Sequence, residues 1–125
     1  MNGETKDLVA DFLQRREQGN EAVLAWNHLG VKRFYNLDTN TYRPGALPAK
    51  TKELLGLVAS LVLRCNDCVD YHLLQCAKEG WSKEELVDAM NVALVVGGSI
   101  VIPHLRHAAQ FLQALEARGE VKKQA

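Results

Sequence analysis

An all-α fold, a single-domain bundle of about six helices, is what this chain predicts, and three observations carry it. Apolar residues recur at three- and four-residue spacing along nearly the whole chain. Sustained alternation of β-branched and polar residues is missing. Only three prolines occur, Pro44, Pro48 and Pro103. With 125 residues, 47% of them hydrophobic and 24% charged, the chain is read as one domain over 1–125, long enough to build its own core.

Each element follows from local chemistry. The first helix is expected over about residues 4–17, with Leu8, Val9, Phe12 and Leu13 on one side. Gly19 is read as its stop and Asn20 as the cap of a second helix, which carries Val23, Trp26, Gly30, Phe34 and Leu37 along one side. Residues 38–47, DTNTYRPGAL, form a loop, and Pro48 suits the first turn of a third helix. That helix is apolar nearly all round, from Leu54 to Leu63, which suits burial against several neighbours or in a subunit interface. Asn66 or Asp67 is the expected cap of a fourth helix ending near Gly80. Ser82-Lys-Glu-Glu85 is a capping box for a fifth that stops at Gly97-Gly98. The last helix begins between Ser99 and Pro103 and ends near Arg118, leaving GEVKKQA as a frayed tail. Trp26, Phe34 and Trp81 are read as core or interface anchors.

Composition narrows the function. Lys and Arg number 15, as do Asp and Glu, and no stretch gathers one sign of charge, so nucleic-acid binding led by phosphate contacts is not expected. The longest apolar stretch, Val92 to Ile102, is interrupted by Gly97, Gly98 and Ser99 and falls short of the roughly 20 residues that span a bilayer. The opening MNGETKDLVADF shows no export signal, so a cytoplasmic location is expected. Three cysteines in a reducing compartment do not make a structural disulfide framework. An odd count containing a C-x-x-C pair points to metal or redox chemistry.

The chemistry concentrates in Cys65-Asn-Asp-Cys68-Val-Asp-Tyr-His72. On a helix these spacings set Cys65, Cys68 and His72 on one face, continued by Val69, Leu73 and Cys76, the face expected to look inward. Cys76 alone reads as a small core hydrophobe, about 12 Å along the helix from Cys68 and too far for a bridge. Two thiols and an imidazole within one turn read differently. A disulfide between i and i+3 is reachable but strained, as labile redox bridges tend to be. His72 and the helix N-terminus raise the thiolate fraction of Cys68. Attack on a peroxide gives a sulfenic acid that a second thiol, three residues away, condenses to a disulfide. Zinc is the rival use of the same side chains, with Glu53 as a conceivable fourth ligand, but there is no second C-x-x-C or H-x₃-H; no metal or other cofactor is expected. His104 and His107 flank the start of the last helix. His104 lies on its apolar side, placed either to line a pocket or as a satisfied structural histidine.

With these residues in view, the chain resembles the alkylhydroperoxidase D / carboxymuconolactone decarboxylase family over about 47–112. The resemblance rests on LPAKTKELLGLVASLVLRC at 47–65, C-x-x-C-x-x-x-H at 65–72 and EGWSKEELVDAMNVALVVGGS at 79–99, with twelve residues from Glu53 to Cys65 as in the peroxidase branch. It implies an all-α fold assembled as trimers or hexamers. It also implies a Glu53–Cys65–Cys68–His72 set in which Glu53 and His72 relay protons, Cys68 attacks and Cys65 resolves. A hydroperoxide or disulfide substrate follows, with regeneration by a dithiol donor such as a lipoyl-bearing protein. Two departures stand out. Asp67 occupies a position where the closest relatives of alkylhydroperoxidase D carry histidine, and like-charge repulsion there disfavours a thiolate. The chain is also short, like the decarboxylase branch, while keeping the dithiol those lactone decarboxylases lack. A lyase using His72 or His104, and a non-enzymatic redox-sensing oligomer, are the alternatives. On one continuous helix Glu53 and Cys65 would lie about 18 Å apart, so they meet only if the chain breaks near Arg64–Asp67 or another subunit supplies one of them. Without the resemblance, Glu53 reads as a first-turn residue answering the helix dipole.

Overall fold

The computed structural model describes residues 7–122, which form α1 (Leu8–Leu24), α2 (Leu29–Thr41), α3 (Ala49–Val62), α4 (Asn66–Lys78), α5 (Lys83–Gly97) and, after a 3₁₀ turn at Ser99–Val101, α6 (Ile102–Ala117). Among the described residues there is no strand, only an isolated bridge between Ser82 and Lys122. The chain divides into two compact units between Arg43 and Pro44.

The first unit holds α1 and α2. Asp7 caps α1, its Oδ1 accepting from the amides of Val9 and Ala10 at 3.1 and 3.0 Å. The helix then runs straight through Gly19 and Asn20 to Leu24, which corrects the expected stop. A glycine inside a helix costs only about 1 kcal/mol against alanine, and the good helix formers around it, Arg15 to Gln18 and Glu21 to Leu24, carry the helix past. The break falls at Ala25–His28. There Asn27 takes the left-handed conformation at φ 55°, which asparagine tolerates better than most residues. The His28 ring caps α2, Nδ1 accepting from the Val31 amide at 3.3 Å. Asn20 instead accepts from the Tyr35 hydroxyl at 3.0 Å and ties α1 to α2. The apolar stripe expected on one second helix is divided: Val23 belongs to α1 and Trp26 to the break, leaving Gly30, Phe34 and Leu37 on α2; Phe34 and Leu37 are 67% and 63% exposed and Trp26 is 70% exposed, so neither aromatic is a core residue of the single chain. The start of the expected first helix, residues 4–6, lies outside the described residues.

In the second unit α3 packs on α4 and α5, and α4 also packs on α6. Pro48 is the N-cap of α3, one residue ahead of its expected place. The N-terminal end of α3 is clamped by Trp81, whose ring N–H donates to the Lys50 carbonyl at 2.9 Å while the Lys50 ammonium lies 4.3 Å above the ring. The capping box opening α5 is complete: the Glu85 amide donates to Ser82 Oγ at 3.1 Å and the Ser82 amide to Glu85 Oε1 at 2.8 Å. Leu57 and Leu61, Val69 and Leu73, Leu86 and Ala93, and Ala108 and Leu115 contribute from four helices to one buried core. The tail departs from expectation: the Lys83 amide donates to the Lys122 carbonyl at 2.9 Å, so the chain is held through Lys122 and only residues 123–125 fall outside the described residues. No helix among the described residues is long and apolar enough to cross a membrane.

Candidate active site

The site is built at the joint between α3 and α4. The Cys65 amide donates to the Ser60 carbonyl and the Arg64 amide to the Leu61 carbonyl, both at 3.0 Å, a pattern that ends a helix with one left-handed residue. Arg64 is that residue, at φ 62°, where glycine is usual. Gly80 and Gly119 end α4 and α6 in the same way, at φ 93° and 72°. The break that Glu53 needs in order to approach the start of α4 is therefore real, and it is made by backbone hydrogen bonds.

Cys65 emerges from this turn as the N-cap of α4, in place of the expected Asn66 or Asp67. Its sulfur accepts from the Cys68 amide at 3.3 Å. Cys65 and Cys68 are joined as a disulfide across Cα atoms 5.3 Å apart. Cys65 is half-buried and Cys68 is exposed. Cys68 thus leaves the inward face expected for it: that face begins at Val69, while the first turn of α4 projects past the end of the core. The exposed neighbour Asp67 sits in the same first turn, where a carboxylate answers the positive end of the helix.

One turn further along α4, His72 is buried and Nδ1 lies 2.9 Å from Oε1 of Glu53, itself buried on α3. Glu53 is the fifth residue of α3 and not in its first turn, so the dipole role considered for it does not apply. A carboxylate accepts, so Nδ1 donates the proton of this bond, which fixes the orientation of the ring. The fold thus pairs Cys65 with Cys68 and Glu53 with His72, with both pairs anchored in the first two turns of α4. Cys76, one turn beyond His72, is fully buried. Burial first, and then the charges of Glu53 and Glu79, push its thiol up to about 12, which fits the inert core role assigned to it.

A second pair of contacts joins α4 to α6. His104 Nδ1 donates to Asn66 Oδ1 at 2.7 Å. His107 Nε2 lies 2.9 and 2.8 Å from the two oxygens of Asp70, a buried carboxylate. His104 is therefore a satisfied structural histidine. Asp70 escaped the sequence reading because its partner is 37 residues away and no local spacing joins them. A groove of about 350 Å³ between α5 and α6, lined by Val87, Met90, Leu94 and Leu105 among others, includes none of Glu53, Cys65, Cys68 or His72. Among the described residues no cluster of three or more His, Cys, Asp or Glu is arranged to hold a metal ion.

Known proteins with this architecture are informative. The sequence model of the carboxymuconolactone decarboxylase family matches residues 29–111. Two crystal structures of one Thermotoga maritima protein are similar at 56% and 54% identity, with TM-scores of 0.85 and 0.80, covering 88% and 89% of this chain and 96% and 97% of that one. One of their descriptions connects that protein with an antioxidative response. A Legionella pneumophila protein of the same family is 25% identical with a TM-score of 0.74, over 90% of this chain and 97% of its own. An uncharacterised Cupriavidus necator protein is 29% identical over 73 residues, 58% of this chain and 65% of its own length. Uncharacterised protein 4 in the cox locus of Paracoccus denitrificans is 25% identical over 83 residues, 66% of this chain and 75% of its own.

Proposed function

The chain belongs to the carboxymuconolactone decarboxylase family, and from that premise we propose that it is a thiol-dependent oxidoreductase that reduces hydroperoxides or disulfides through Cys65 and Cys68, with Glu53 and His72 as its proton relay. The carrying observation is the Cys65–Cys68 pair at the start of α4, with Cys68 exposed, one turn from a buried Glu53–His72 pair. The antioxidative connection of the Thermotoga relative supports the same reading.

In the reduced protein the Cys68 thiolate attacks the distal oxygen of a hydroperoxide. The S–O bond forms, the O–O bond breaks, and the departing alkoxide takes a proton by way of His72 and leaves as the alcohol. The Cys65 thiolate then attacks the Cys68 sulfur and expels the hydroxyl, protonated as water. The two sulfurs have been oxidised and the peroxide oxygens reduced. A dithiol donor, of which a lipoyl-bearing protein is the chemical type, attacks the exposed Cys68 sulfur. Cys65 leaves as a thiolate into the bond from the Cys68 amide; the donor's second thiol then attacks the donor sulfur of the mixed disulfide, closes the donor's disulfide and releases Cys68 as a thiolate. The proposal includes a homo-oligomer, trimer or hexamer, supported by the apolar residues that α2 and its approach leave exposed.

Thiol titration tests it. Stoichiometric hydroperoxide, or oxidised lipoamide, removes two thiols per reduced chain and leaves Cys76. Survival of both Cys65 and Cys68 thiols under both oxidants overturns the proposal. Decarboxylation of a carboxylactone that persists in Cys65→Ser/Cys68→Ser assigns the site to lyase chemistry instead.

A further inference from the structure

We infer that Gly56 is a positioning residue for this site: by lacking a side chain it forms the slot on α3 into which the His72 ring lies, and so fixes the imidazole against Glu53. The inference rests on the reading above and adds a residue to it. Gly56 stands one helical turn after Glu53, in the middle of a helix and within its apolar run Leu54–Ala59, where glycine is the poorest ordinary helix former. Its φ is not in the left-handed region, so backbone conformation does not require glycine here. Space does. A Cβ built on Gly56 would stand 2.6 Å from Cε1 of His72 and 2.8 Å from both Nδ1 and Nε2. The near-equal distances put it over the face of the ring, below any separation that carbon and an aromatic ring sustain.

The ring cannot simply yield. It is buried, and Nδ1 is bound to Glu53 at 2.9 Å. A side chain at position 56 must rotate or lift the imidazole, which breaks the bond to Glu53 and moves Nε2 relative to the first turn of α4. The remaining glycines of the helical segments place no such demand on His72. A Cβ at Gly19, for example, meets nothing within 4 Å.

The test uses the full chain in four forms: unaltered, Gly56→Ala, His72→Ala and Gly56→Ala/His72→Ala. The rate of Cys65–Cys68 disulfide formation with cumene hydroperoxide is followed across pH, together with the His72 imidazole resonances. Gly56→Ala is expected to shift those resonances, to change the pH profile, and to lower the rate as His72→Ala does, by about a hundredfold if the imidazole acts as a general acid–base group. In the double variant the added methyl occupies vacated space and lowers the rate no further. Unmoved His72 resonances in Gly56→Ala, or an equal loss whether or not His72 is present, overturns the inference. If Gly56→Ala does not fold, recovery of folding in the double variant supports the slot, and failure of both overturns it. If His72→Ala reacts at the unaltered rate, the relay in the proposed function fails, while the His72 resonances in Gly56→Ala still decide the positioning role.

Discussion

Replacing Glu53 probes the pair on which the site is built. Its side chain and that of His72 are each only 9% exposed and meet at 2.9 Å, so neither can turn to water when the other is removed. Glu53→Ala deletes a hydrogen bond to a carboxylate and leaves a ring N–H unpaired in the core. Stranding a buried neutral donor costs about 1–3 kcal/mol, and breaking a buried charged pair about 3–5 kcal/mol. The two ranges meet at about 3 kcal/mol, a large part of the roughly 5–15 kcal/mol that holds a domain folded. Glu53→Gln keeps the shape and an acceptor oxygen and is expected to cost about 1 kcal/mol. Urea unfolding of the oxidised protein near neutral pH, followed by far-ultraviolet circular dichroism, measures both. A Glu53→Ala cost below about 1 kcal/mol refutes the argument, because no stranded buried donor is that cheap. So does a glutamine variant as unstable as the alanine one.

Three further outcomes are expected. Cys76, raised from 9.0 to about 12 in the folded chain, ionises first when unfolded. Its stabilising contribution is therefore whole below pH 9.0 and is lost as pH rises toward about 12, at about 1.4 kcal/mol per pH unit. Alkaline unfolding curves of the unaltered chain and Cys76→Ala should converge over that interval, and parallel curves would contradict the burial argument. Arg64→Gly removes the left-handed penalty at the α3–α4 joint and should stabilise by up to about 1 kcal/mol, after the extra freedom glycine gives the unfolded chain; thermal unfolding reads the sign. Phe34→Asp with Leu37→Asp places charge on the exposed stripe of α2 and should lower the sedimentation coefficient if the proposed homo-oligomer forms through that stripe. An unchanged coefficient removes that stripe from the interface.

What was legible in the sequence was what local chemistry decides. Ser82 and Glu85 announce their capping box because both halves lie within one turn, and Gly97-Gly98 end α5 because a glycine beyond the last turn accepts positive φ, as Gly98 does at 82°. The same logic misplaced the end of α1. Gly19 offers the same permission, but nothing beside it closes the helix, whereas Asn27 and the His28 ring do so eight residues later. At the site, the C-x-x-C-x-x-x-H spacing shows the sulfurs and imidazole to be neighbours. It does not show that Cys68 is exposed while His72 is buried, because that depends on how α4 packs on its neighbours, α3 with Glu53 and Gly56 among them. Asp70 with His107, and Gly56 beneath His72, are contacts between helices, set by packing and invisible to any one-helix pattern.

In the proposed cycle, Cys65 closes the first turn of α4 with the same atom that changes oxidation state. In the disulfide that atom is a neutral acceptor for the Cys68 amide; as a thiolate it carries a full negative charge at the positive end of the helix, and the bond is stronger. On the proposed function each turnover therefore tightens and slackens a helix terminus, and the Cys68 amide proton is a built-in gauge of it. Hydrogen exchange at that single amide reports the electron count of the dithiol without touching either sulfur.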